Sequence, residues 1–252
     1  MSNILNDLGL RLEELIALIN EADPKMKFIS DIGKLIPDHY EEFKNKLNFC
    51  DEINSVTEYG DLSQADTTRL KGKTLEELVK MLFEYTGGYY ETFENLGTNT
   101  NEIDLFIKFT NKAYMFDKFI NYDKFSKILC ECKNYSKNVG VDYVGKFYSL
   151  VECSKVNMSI LFSWKGLAGS NWNSSCGLVK KIHLLREDPK NRIYILDFNK
   201  NDFISILNGK SIFEILNSKC EEMEMAINYS KYFKKHPNQD ELQQKINIIE
   251  KS

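Results

Sequence analysis

The chain has 252 residues, 42% hydrophobic and 28% charged, with a formal net charge of −4, which is ordinary composition for a soluble protein with room for one substantial domain and an appendage, or for two small domains. No apolar run approaches the roughly 18 residues of a membrane-spanning helix, and acidic residues interrupt the apolar stretch over 1–24, unlike a secretory signal. A cytoplasmic location without a membrane partner is expected, and the six scattered cysteines (Cys50, Cys130, Cys132, Cys153, Cys176, Cys220) read as reduced thiols rather than a disulfide framework.

Residues 3–21 carry Ile4, Leu5, Leu8, Leu12, Leu15, Ile16 and Ile19 at helical spacing, predicting an amphipathic helix that stops at Asp23-Pro24. A second helix is predicted over 38–50, just after Pro37. Residues 1–66 then read as a helical N-terminal region with a regulatory, oligomerisation or sensing role, and the polar stretch 54–73 as a boundary. Thr74-Leu75-Glu76-Glu77 fits a capping box, with Thr74 as N-cap and Glu77 reaching back, opening a helix that runs to about Tyr85 ahead of Gly87-Gly88.

Residues 89–93 and 102–109 read as strands, 110–125 shows no clear pattern, and 128–133 is a third strand. A helix over 141–154 has Val141, Val144, Phe147, Tyr148 and Val151 on its apolar side. Then follow a strand over 158–164, a loop, a helix over 176–186, a strand over 192–198, helices over 202–207 and 211–219, and a charged helix or tail over 221–252. This order predicts an α/β fold, a mixed sheet flanked by helices, with a small helical N-terminal region.

The strand over 128–133 raises a chemical question. Side chains alternate faces along a strand, so Ile128, Cys130 and Cys132 share one face, and Leu129, Glu131 and Lys133 the other. Charges inside an apolar strand are costly unless they are paired or bind something. A surface salt bridge would be worth only about 0–1 kcal/mol and would not require this setting. Asp104 sits on the preceding predicted strand. Two carboxylates converging from adjacent strands can hold a hard divalent cation through oxygen ligands, and Lys133 beside them can orient a water or offset charge developing on a phosphoryl oxygen.

The charge distribution suits such a site. Residues 1–66 hold 14 acidic and 6 basic side chains, whereas residues 133–186 hold 8 basic and 2 acidic ones. A positive surface around a carboxylate centre fits an approaching polyanion.

The segments "NEID" (101–104) and "ILCECKNYS" (128–136) resemble the PD-(D/E)xK nuclease motif. The segment "VGVDYVGKFYSLVECSKVNMSILFSWKGLAG" (139–169) is similar to the stretch after the catalytic strand in Mrr-like (type IV) restriction endonucleases. The resemblance covers about 71–220, from "KTLEELVKMLFEYTGGYY" to "NDFISILNGKSIFEIL". It implies a restriction-endonuclease-like fold over 71–220 and an Mg2+- or Mn2+-dependent endonuclease acting on DNA in restriction or antiviral defence. By position it makes Asp104 and Glu131 metal ligands and Lys133 the catalytic lysine. Glu76 is the further carboxylate, preferred over Glu77 because Glu77 is assigned to capping. Lys137, Lys146 and Asn134 are candidate DNA contacts. Because both strands of a duplex must be cut, a homo-oligomer is expected, or a subunit of a defence complex. The alternative is a non-catalytic nucleic-acid-binding or protein-docking subunit that retains the fold.

Other features carry less. "KGKT" over 71–74 lacks the upstream glycine and strand of a phosphate loop. His39, His183 and His236 are dispersed, and His183 is expected to be a half-buried structural residue. Cys130 and Cys132 have no second ligand pair for zinc. Tyr89 and Tyr90 are expected in the core. Trp164 and Trp172 flank a loop where an exposed indole would mark a DNA-reading edge and a buried one the core.

Overall fold

The computed structural model describes Glu21 and residues 31–97, 102–114, 116, 120, 122–186 and 188–225. Apart from Glu21, the helix predicted over 3–21 lies outside the described residues, as does the tail beyond 225.

In chain order the elements are α1 (Tyr40–Ser55), α2 (Gln64–Tyr85), β1 (Tyr90–Gly97), β2 (Glu102–Phe109), the single-turn helices α3 (Asn111–Tyr114) and α4 (Tyr122–Phe125), β3 (Lys127–Cys132), α5 (Val141–Ser154), β4 (Met158–Phe162), α6 (Ser175–Leu184), β5 (Tyr194–Phe198), α7 (Lys200–Leu207) and α8 (Ile212–Glu224). The strands form one five-stranded mixed sheet in the order β1-β2-β3-β4-β5. β1, β2 and β3 run antiparallel in succession, whereas β3, β4 and β5 are parallel, joined through α5 and α6. The three parallel strands therefore deliver their C-terminal ends to the same edge of the sheet.

Alternation along the strands separates two apolar layers. Ile128, Cys130 and Cys132 of β3 join Leu105 and Ile107 of β2, Leu78 and Leu82 of α2, and Phe213 and Leu216 of α8. Leu129 of β3 points the other way, to Val144, Phe147 and Val151 of α5 and Val179 and Ile182 of α6. Helices cover both faces, as an α/β sheet with parallel strands requires.

Several predicted bounds shift for identifiable reasons. The helix expected to have Thr74 as its N-cap starts eleven residues earlier, at Gln64. Ser63 is its N-cap, its hydroxyl accepting from the Asp66 N–H at 3.2 Å. Thr74 is instead buried within the helix, its hydroxyl donating to the Leu70 carbonyl at 2.8 Å, and Glu77 pairs with Lys46 at 2.8 Å rather than capping. The stretch read as polar boundary thus contains nearly three turns of this helix held by packing: Thr67 is fully buried, its hydroxyl accepting from the Tyr59 N–H. Gly72 costs roughly 1 kcal/mol there relative to alanine.

β1 extends from Tyr90 to Gly97, beyond the predicted 89–93, and α8 reaches Glu224 rather than 219. The unpatterned 110–125 segment supplies Ala113, Ile120 and Phe125 to the core. The N-caps of α7 and α8 are true capping boxes, Asn199 with Asp202 and Ser211 with Glu214. α1 buries Phe43, Leu47 and Cys50 in the same layer as β2, β3 and α2. Ahead of it, Gly33 takes φ 78 under the Phe213 ring, and its carbonyl accepts from the Ile212 N–H at 2.9 Å.

Candidate active site

β2 and β3 are direct neighbours although 26 residues separate Asp104 from Glu131. The pairing of Leu105 with Cys130, continued one step, sets Asp104 opposite Glu131. The main-chain ladder ends there, and the Asp104 side chain takes over: its Oδ2 accepts from the Cys132 N–H at 2.8 Å. On the other side of β3 the Lys133 N–H donates to the Phe162 carbonyl at 2.8 Å, prolonging the pairing with β4 just past the strand.

The Lys133 ammonium lies 2.5 Å from Glu131 Oε1 and 3.6 Å from Asp104 Oδ2. The three side chains are only 25%, 15% and 21% exposed, for Lys133, Glu131 and Asp104 in turn. Burial raises the Glu131 carboxyl pKa and the Asp104 charge adds to it, against the opposing hydrogen bond and charge of Lys133. Burial alone would lower the Lys133 pKa, yet the hydrogen bond to Glu131 and the charges of Glu131 and Asp104 outweigh it and leave it raised. Cys130 and Cys132 are fully buried thiols, pushed well up by burial and then by Asp104, and so are unsuited to ligation.

Two clefts meet at this trio. One, of about 440 Å³, is lined by Asp104 together with Glu76, Glu77, Lys46, Lys73 and Lys80 of the α1–α2 side. Its cations pair with carboxylates: Lys46 with Glu77 at 2.8 Å, Lys73 with Glu77 at 3.9 Å, and Lys80 with Glu94 at 2.7 Å. Glu77 pairs with two lysines, and the capping role on which Glu76 was preferred over it is not observed. Glu76 is near enough for its charge to raise the Cys132 thiol. The second cleft, of about 190 Å³, is lined by Glu131, Lys133, Tyr143, Lys146, Phe147 and Leu161.

The structure brings Asp104, Glu131 and Lys133 together and sets Glu76 on a wall of the Asp104 cleft, while Lys146 lines the other cleft, exposed on α5 with its ammonium 5.5 Å over the Tyr143 ring. Lys137 is exposed on the β3–α5 loop. Asn134 is 8% exposed, its amide donating to the Lys71 carbonyl at 2.8 Å, so it ties this loop to α2. The aromatic pair Tyr135 and Tyr143, with ring centroids 4.9 Å apart, was missed. Tyr135 is pushed up to about 12 by burial and then by its hydrogen bond to Tyr143. Its place two residues beyond Lys133, continuing the Glu131-x-Lys133 periodicity, was the available signal.

Among the described residues no group of three or more His, Cys, Asp or Glu side chains is gathered as a ready cation site. The donors nonetheless fit a hard divalent ion: Asp104 and Glu131 are oxygen ligands, and Glu131 Oε2 is buried with no hydrogen-bond partner. A buried carboxylate oxygen without a partner is costly, and a cation would satisfy it.

A mixed sheet with helices on both faces and a carboxylate–carboxylate–lysine cluster at the end of its middle strand defines a restriction-endonuclease-like α/β domain. Residues 67–188 match the sequence model of the Mrr_cat family, described as restriction endonuclease. No curated protein and no solved structure matched the chain.

Proposed function

We propose that the protein is a divalent-metal-dependent endonuclease that hydrolyses DNA phosphodiester bonds in restriction or antiviral defence. The observation that carries this reading is Asp104 opposite Glu131, with Lys133 within 2.5 and 3.6 Å of them and Glu131 Oε2 lacking a partner, inside a restriction endonuclease domain. Asp104 and Glu131 would hold Mg2+ or Mn2+, with Glu76 contributing from α2. The ion would supply Lewis acidity to water and to the phosphoryl oxygens.

Asp104 is oriented by the Cys132 N–H, and Glu131 by Lys133. Lys133 donates from its ammonium to the attacking water or to the charge building on a phosphoryl oxygen. The water oxygen bonds to phosphorus as the ester P–O bond breaks; the water's proton is lost to solvent and the leaving alkoxide is protonated. Lys146 and Lys137 meet flanking phosphates, and Asn134 holds the loop that carries them.

Duplex cleavage calls for two copies of the domain or a partner within a defence complex, with residues 1–66 serving oligomerisation, sensing or regulation. A cytoplasmic site of action agrees with six free cysteines and with no described helix being long and apolar enough to cross a membrane. The test is cleavage of plasmid DNA with Mg2+ or Mn2+ against EDTA, for wild type and Glu131→Ala. Metal-dependent nicking or linearisation lost in the variant supports the reading. Intact plasmid with both proteins across several metals, but retarded in a gel, would replace it with a binding subunit that retains the fold.

A further inference from the structure

The C-terminal ends of β3 and β4 open on one edge of the sheet, and the segments that follow them are stitched together. Val139 and Leu167 form a parallel bridge. The Val139 N–H donates to the Gly166 carbonyl and the Ala168 N–H to the Val139 carbonyl, each at 2.9 Å. Asn138 donates to the Lys165 carbonyl at 2.6 Å, and the buried Ser175 hydroxyl to the Val139 carbonyl at 2.7 Å. The segment after β3, which begins with Lys133, thereby fixes the position of the β4–α6 loop, residues 163–174.

This loop is also held from below and behind. Gly166, at φ 75, lies against the Asp197 carboxylate of β5, where a Cβ would come within 3.3 Å of Oδ2. At the far end, a Cβ on Gly177 of α6 would lie 2.3 Å from the Trp172 carbonyl oxygen, so only glycine permits this approach of helix to loop. The Trp172 backbone is clamped, yet its side chain is 58% exposed, whereas Trp164 at the start of the loop is 4% exposed. The Lys181 ammonium sits 4.8 Å from the Trp172 ring centre.

An exposed indole on a pinned backbone, backed on one face by a cation and set in a segment with 8 basic against 2 acidic residues, has the features of a stacking platform for a nucleobase. A protein-binding hot spot would not need the surrounding positive charge. A base inside a duplex has both faces occupied by its neighbours, so the partner of such a platform is an unpaired or unstacked base.

Building on the nuclease reading, we propose that Trp172, backed by Lys181, stacks on an unpaired base of the bound DNA strand, at the edge of the sheet that also carries Glu131 and Lys133. Trp172 thereby favours single-stranded or locally opened DNA. It is a specificity-determining contact and does not touch the reacting atoms.

The chain has two tryptophans, so intrinsic fluorescence reads the contact directly. The full chain in EDTA, where binding is separated from cleavage, is titrated with a single-stranded DNA oligonucleotide and with the same sequence as a duplex. The single strand should quench the wild type and the Trp164→Phe variant. In Trp172→Leu the quenching should vanish and single-strand affinity fall about 5- to 150-fold, the span of base–aromatic stacking. Duplex affinity should change much less, and Trp172→Phe should recover part of the loss. Unchanged single-strand affinity in Trp172→Leu, quenching that survives in it, or an equal loss for single strand and duplex each overturns the proposal. So does a variant that alters only self-association. Quenching at Trp172 without metal-dependent plasmid cleavage would remove the nuclease reading and leave the contact standing. Cleavage with a silent Trp172 would do the reverse.

Discussion

The two clefts that meet at Asp104, Glu131 and Lys133 differ in what they can hold. On the α1–α2 side the lysines are drawn into pairs with Glu77 and Glu94, and the carboxylates Asp104 and Glu76 line the same walls. On the α5 side the wall is Tyr143, Lys146 and Phe147, and Lys146 rests on an aromatic face rather than on a carboxylate. The first environment suits a cation and the second a phosphate, and the proposed hydrolysis would need both at the sheet edge between them.

This division can be tested side by side. At the junction, Lys133→Ala should lower the cleavage rate by about 10²–10³-fold, the usual cost of removing one donor to developing charge, while DNA binding in EDTA persists; a rate within a few fold of wild type would remove Lys133 from the chemistry. On the acidic side, Glu76→Gln should raise the metal concentration for half-maximal cleavage about 10- to 100-fold, as expected for a group supporting a metal site, and leave DNA affinity in EDTA unaltered. A change in DNA affinity without a change in metal requirement would reverse the assignment of the two clefts. On the basic side, Lys146→Ala should reduce the slope of log affinity against log salt by roughly 0.7–0.9, one phosphate contact, with the metal requirement unchanged.

Much of this arrangement was legible in the residues. The β3 pattern assigned Cys130 and Cys132 to one layer and Leu129, Glu131 and Lys133 away from it, and the structure places Cys130 and Leu129 in the two opposite layers. The bounds of the helix over 141–154 agree with its apolar spacing, although Val141, assigned to the apolar side, is 42% exposed. What could not be read was set by contacts distant in sequence. The N-terminal half of α2 looks polar because its stability comes from Thr67 and Thr74 packing inward, and a pattern matching a capping box says nothing about whether a turn of helix precedes it. That Asp104 faces Glu131 depends on how residues 110–126 return the chain, and those residues lack a simple periodicity. His183, expected to be half-buried, is fully enclosed, its Nδ1 3.1 Å from the Ile193 carbonyl. The exposure of Trp172 against the burial of Trp164 follows from the path of a loop held by residues outside it, such as Asn138, Val139 and Gly177.

The way α1 enters the molecule bears on how the N-terminal residues can be probed. Phe43, Leu47 and Cys50 fill the layer beneath β2 and β3, and α2 starts at Gln64. A shortened chain starting after residue 66 would expose the apolar faces of α2 and α7 that α1 covers and leave the first helical turn frayed. Its inactivity would report a damaged scaffold, so questions about a docking role there are better put to exposed side chains such as Glu41 or Asp61, one at a time in the intact chain.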